Sequence, residues 1–251
     1  MSGYKTSQKQ KEQHRVNIIR FLESVNHCDI NHIVRKSPVP IPKEPEDQFA
    51  AVVEHLFENE AVVELKLAQM EQGKAKASPC GQDFRRHSHE WLKLVRNGSL
   101  GALLGDHRGV YMRVNAVNGS GSGSGAWGTT TDSDIATFDL TLIEHDWLKM
   151  RPQAHLLSAL ALPICAITDS GGGSLHALVK VRAADAEQYA REAKELHALL
   201  RNNFGFDSTN SNPSRLTRAP GFFRREDGMS HQLQRLLYLN PNPNFKPISE
   251  L

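Results

Sequence analysis

Three cysteines in 251 residues, Cys28, Cys80 and Cys165, are too few and too scattered for a disulfide framework, and no CxxC pair offers a zinc knuckle. The expectation that follows is a reducing, cytoplasmic setting. Long apolar runs are also missing: none approaches the roughly 18 residues of a membrane span. The opening "MSGYKTSQKQKEQHR" lacks the apolar core of a signal peptide. Neither sign of charge dominates, with 30 Lys and Arg against 28 Asp and Glu, and a net charge of +2 permits nucleic-acid binding without arguing for it. There is no GxxxxGK[ST] phosphate loop and no internal repeat. What remains is an ordinary globular composition, 39% hydrophobic and 23% charged, in a length suited to one large domain or a domain with a small extension.

Periodicity divides the chain near residue 47. "VNIIRFLESV" (16–25) has Ile18, Ile19, Leu22 and Val25 at helical spacing, behind a polar stretch, 1–15, expected to fray. "KSPVPIPKEPED" places Pro38, Pro40, Pro42 and Pro45 as an extended, semi-rigid linker. Residues 1–46 therefore read as a short extension, a place to look for a partner, and 47–251 as the main domain. Beyond it, helix is expected in "DQFAAVVEHLFEN", "RRHSHEWLKLVRNG", 148–162 and, most clearly, 185–203. Strands are expected in "AVVELKLAQ", 109–117, 138–146, "PICAITDS", "SLHALVKV" and 231–240. A Gly/Ser loop, 118–134, interrupts them. Helices alternating with at least four strands predict a mixed α/β or α+β sandwich.

Three segments carry chemistry. In "FDLTLIEHD", strand parity puts Phe138, Leu140, Leu142, Glu144 and Asp146 on one face, so an apolar row turns into two carboxylates about 7 Å apart at the strand end. That suits divalent cations, although a solvated strand end has the same pattern. A further acid, Asp207, follows the long helix, where a lone Asp is usually a turn former. "SGGGSLHALVKV" aligns Ser174, His176, Leu178 and Lys180 on one side. They could grip a triphosphate after a close glycine turn; taken alone, a hairpin with a wet outer face is the simpler reading. "NPSRLTRAPGFFRRED" sets Arg215, Arg218, Arg224 and Arg225 among phenylalanines, as phosphate contacts and stacking platforms require, or as a solvated basic loop would.

Taken in order, "LIEHD", "SGGGSLHALVKV", and "GFD" followed by "NPSRLTRAPG" resemble the archaeo-eukaryotic primase (primase-polymerase) superfamily, in the versions encoded by phages, satellites and mobile elements. The likeness spans about residues 50–240. It implies an α+β fold, with an RRM-like mixed sheet, packed helices and an N-terminal α/β half. It implies a DNA primase, a nucleotidyltransferase making short primers on single-stranded DNA from nucleoside triphosphates, possessing or lacking polymerase activity, with a helicase or initiator in trans and no membrane. Glu144, Asp146 and Asp207 would ligate two Mg²⁺ or Mn²⁺ ions. His176 and Ser174 would meet the incoming phosphates, with Arg215, Arg218 and Lys180 in support and Arg113 and Asn115 lining the pocket. Two departures stand out: Ala116 where relatives carry proline, and Gly173 where lysine is frequent.

The alternative is a non-catalytic DNA- or helicase-binding module of the same fold. A rolling-circle nicking enzyme reading of "HSH" (87–89) ranks lower, because serine separates the histidines and no suitable tyrosine helix follows. A zinc site at Cys80, His87 and His89 lacks a nearby fourth ligand.

Overall fold

A computed structural model describes residues 7–70, 78–81, 83–119, 123–125, 130–181, 183–225 and 230–244. The chain is an α+β protein built on two antiparallel sheets. The first helix, α1 (Gln8–Glu23), starts earlier than the expected 16–25, because Ser7 and Gln10 form a capping box that fixes its first turn. Helix α2 (Ile30–Arg35) was not expected; Asp29 caps it by accepting from His32 N at 2.8 Å. Ile18, Cys28 and Ile33 are buried in a shared core with Ile143, Leu157, Leu196 and Leu200. Residues of 1–46 thus supply core to the domain they precede, and Val39 N bonds Leu239 O at 3.1 Å.

After α3 (Pro45–Leu56), the strands β1 (Val62–Leu67) and β2 (Asp83–His87) pair antiparallel. The expected helix 85–98 is only α4 (Ser88–Arg96), with Gly98 at φ 64° just beyond its end. Residues 83–87 are strand instead, because Arg85 and Asp83 find partners across the ladder on Glu64 and Lys66. Helix α5 (Leu100–Leu104), β3 (Val110–Arg113) and β4 (Gly123–Gly125) follow. Part of the Gly/Ser loop is therefore an edge strand; residues 120–122 and 126–129 lie outside the described ones.

The second sheet takes β5 (Leu140–Glu144), β6 (Ile164–Asp169) and β7 (Leu175–Lys180), with α6 (Met150–Ala159) and α7 (Ala186–Phe204) between and after them. Then come β8 (Leu216–Arg218), the short ribbon β9 (Phe223–Arg224) and β10 (Gln232–Leu233), and β11 (Arg235–Leu239). The expected single strand 231–240 is broken at Gln234. This side chain is fully buried and donates to Val110 O and Ala219 O, at 2.8 and 2.6 Å, turning the chain from ribbon to sheet.

Sheet order is β4-β2-β1-β3-β8 in one and β11-β6-β7-β5 in the other. Strand β7 lies in the middle of the second sheet, and the hairpin with a wet face is excluded: Ala177 and Val179 pack towards the helices, while Leu178 packs with Leu140 and Leu142 in the other core. That second core continues through Val63, Leu65 and Phe84 of the first sheet and Phe49 of α3. Alternation within each strand thus builds one core per face, and the polar ends of β5 and β7 emerge where the two sheets part.

Candidate active site

Strand β5 ends at Glu144, and the next three residues turn. His145 points inward, 1% exposed, with its Nε2 3.0 Å from Phe204 O and its Nδ1 accepting from Leu148 N. With His145 anchored inside, Asp146 is turned outward. Asp207 arrives from the α7–β8 loop, where its backbone N–H donates to Glu144 O at 3.1 Å. One oxygen each of Glu144, Asp146 and Asp207 lie within 4.8 Å of one another. Two side chains that the sequence reading missed hold this corner. Gln153 of α6 donates to His145 O at 3.2 Å and accepts from Leu175 N at 2.8 Å, locking the acidic turn against β7. Asn210, fully buried, donates to Glu144 Oε1 at 2.7 Å and to Asp207 Oδ2 at 3.2 Å. Its Oδ1 has no hydrogen-bond partner among the described residues. Nothing local in "STNSNPS" singles out Asn210.

Glu144 and Asp146 are shifted in opposite directions. Burial alone would raise Glu144, but donation from His176 and Asn210 and the charge of Arg215 bring it down to about 2. Asp146 is pushed up, by desolvation and by the neighbouring charges of Asp207 and Glu144. This is a hard-oxygen cluster with uncompensated negative charge, and its donor set fits Mg²⁺ or Mn²⁺.

His176 faces Glu144 across the β5–β7 ladder, with Nε2 3.1 Å from Glu144 Oε2. Its Nδ1 accepts from the backbone N–H of Arg218 at 3.3 Å, which assigns the ring proton to Nε2, aimed at Glu144. From this corner a groove of about 840 Å³ opens between the sheets, lined on one wall by Glu144, His176, Ser174 and Ser170. Lys66, Tyr111, Arg113, Arg215, Arg218 and Arg224 line the rest. Arg218 lies over the Tyr111 ring at 4.0 Å. The glycine turn needs its glycines: Gly171 and Gly173 have φ of 67° and 94°. A Cβ on Gly172 would collide with the guanidinium of Arg224, which lies across the turn. A cation therefore reaches this turn from β9, beside Gly173.

The structure thus brings together Glu144, Asp146, Asp207, His176, Ser174, Arg113, Arg215 and Arg218. Two expected pocket residues stand apart. Asn115 is buried and serves the backbone, donating to Leu140 O at 2.9 Å and Pro213 O at 3.0 Å and accepting from Leu140 N at 2.9 Å. Lys180 pairs with Leu140 at the opposite end of β7 and is not among the described residues lining the groove. His87 and His89 stack at 5.5 Å and bond to Glu60 O and Asn59 O. Among the described residues, the acidic trio alone forms a cluster close enough to share a metal, and no helix is long and apolar enough to cross a membrane.

No family model matches the sequence, and no curated protein sequence does. A solved structure does match in fold: the AEP domain of the cyanophage S-2L primase-polymerase (PrimPol), with a TM-score of 0.51 and 20% identity, over 82% of this chain and 96% of that one. The chain has the archaeo-eukaryotic primase fold, as its three motifs led one to expect.

Proposed function

We propose that this protein is a DNA-templated nucleotidyltransferase, a primase with or without polymerase activity, that serves replication of a phage, satellite or mobile element. The observation that carries this reading is the groove that opens from Glu144, at the acidic corner, along an arginine-rich wall. Its shape and charge suit a nucleoside triphosphate together with divalent cations. Glu144, Asp146 and Asp207 would hold two such ions, Mg²⁺ or Mn²⁺. Bound there, the ions would supply Lewis acidity towards a primer 3′-hydroxyl and the pyrophosphate that leaves the incoming nucleotide. In the reaction the 3′-oxygen forms a bond to the α-phosphorus, the bond to the β-phosphate oxygen breaks, and the hydroxyl proton leaves to solvent.

The chain's own part is binding and orientation. His176 keeps the Glu144 carboxylate turned to the corner, and an incoming phosphate oxygen would share its Nε2–H. Ser174, Arg215, Arg218 and Arg113 would neutralise phosphate charge along the groove. A helicase or initiator acting in trans would deliver the single-stranded template.

The test is a templated synthesis assay with dNTPs and NTPs supplied separately, over Mg²⁺ and Mn²⁺. Labelled product, lost in Glu144→Ala/Asp146→Ala, is the expected result. No product from a folded protein under any condition, with DNA binding retained, would establish the non-catalytic binding module instead.

A further inference from the structure

Glu64 of β1 is a carboxylate with zero exposure inside the cationic wall. It accepts from Arg113 Nε at 2.7 Å through Oε1. Its Oε2 accepts from Arg85 Nε and from Thr130 Oγ1, both at 2.7 Å. Burial pushes the carboxyl up, but the donors Thr130, Arg113 and Arg85 outweigh it and keep the group ionised. A buried ion triad is weak evidence for stability, since an apolar replacement often serves as well. Its value here is directional. Nε of Arg113 is fixed by Glu64, and Nη1 donates to Ser214 O, one residue before Arg215. Neither bond uses Nη2, and Arg113 lines the groove. Ser214 is tied in turn by its hydroxyl to Asp132 at 2.6 Å. Two chain segments therefore hold the guanidinium directly, and Arg85, Thr130 and Asp132 brace the groups that hold it.

We propose that Glu64 is a positioning residue, which clamps Arg113 between β1 and the 212–215 loop so that its remaining edge and the neighbouring Arg215 present a fixed pair of cations to the phosphates of a bound nucleotide. The inference rests on reading the groove as a nucleotide site. Glu64→Gln keeps the volume but replaces one acceptor by an amide donor facing Arg85 and Thr130. It is expected to raise the nucleotide KM by on the order of tenfold while kcat falls less, because ground-state alignment of the phosphates is what it loosens. Glu64→Asp, retaining the charge, recovers part of the loss. In an Arg113→Lys background, Glu64→Gln adds nothing further, since the clamp has already lost its fork.

A second readout is independent of turnover. In a ¹⁵N spectrum of the free protein, the Arg113 Nε–Hε signal is expected to exchange slowly in the wild type and in Thr130→Val, which keeps the carboxylate. Rapid, surface-like exchange of that signal in the wild type would overturn the proposal, even if Glu64→Gln failed to fold. So would a folded Glu64→Gln with unchanged KM, or effects of Glu64→Gln and Arg113→Lys that multiply. Wild-type protein without affinity for any nucleotide would instead overturn the groove reading itself, and with it the role assigned to the clamp.

Discussion

The two walls of the groove treat carboxylates in opposite ways. On the first sheet, Glu64 is buried, takes hydrogen bonds from three side chains and is held below the usual carboxylate range. At the end of the second, Asp146 is exposed at its surface, receives no hydrogen bond from any described residue and is pushed up by partial desolvation on its inner side and by the charges of Asp207 and Glu144. On the first wall the buried carboxylate fixes Arg85 and Arg113 before anything binds, while the wall as a whole stays cationic. The other stores like-charge repulsion that a cation relieves. A surface that binds an anion and its counter-cations together needs both: ordered cations, and acids in electrostatic deficit.

The comparison breaks most severely at the acidic end. Glu144→Ala/Asp146→Ala is expected to lower templated synthesis at least a thousandfold with the fold retained by circular dichroism, the scale on which electrostatic catalysis fails when its central charges are removed. Next in size, Asn210→Leu removes the donor that bridges Glu144 and Asp207, and steady-state rates should fall between about tenfold and a hundredfold, as for outer-shell ligands of metal sites. Gly172→Ala displaces the Arg224 guanidinium and should raise the nucleotide KM severalfold, by about 1 kcal/mol of binding. Lys180→Ala, away from the groove, should change KM less than about twofold; a larger effect would mean the groove extends along β7.

Acid titration sharpens the same contrast. Glu144 has its pKa depressed from 4.5 to about 2, so its stabilising contribution is present above pH 4.5 and is lost as pH falls through that window. Asp146 has the opposite sign: its charged form is disfavoured in the native state, so its penalty is felt at neutral pH and disappears on protonation. Denaturant unfolding without metal should therefore show Asp146→Asn to be slightly more stable than wild type at pH 7. It should show Glu144→Gln to be less sensitive than wild type to acidification between pH 4.5 and 2.

The acidic wall was legible because each part is contiguous. "LIEHD" and "SLHALVKV" carry their strand parity on their face, and the β5–β7 register sets Glu144 opposite His176, whereas Asp146 lies past the strand end and is placed by the turn around buried His145. The cationic wall was legible only in part: Arg215, Arg218 and Arg224 stand in one stretch, but the clamp of Glu64, Arg85, Arg113 and Thr130 comes from separated segments and acquires meaning only through strand pairing. For the same reason "RRH" (85–87) read as the start of a helix: its charges look solvated until Glu64 lies across from Arg85. Residues 8–15 looked frayed because helix α1 buries little beyond Ile18, and its stability comes from packing on α7, where Phe21 meets Phe204 at 5.2 Å. Asn210 and Gln153 had no signal at all, since a single buried amide has no sequence period.

The central claim, that the acidic corner receives divalent cations to complete a nucleotide site, is tested most directly by Mn²⁺ titration followed by electron paramagnetic resonance, with and without a dNTP. The account predicts saturable Mn²⁺ binding that tightens when the dNTP is added, and its loss in Asp146→Asn and Asp207→Asn. Mn²⁺ that binds equally to wild type and to both variants, or whose binding ignores the nucleotide, would contradict it.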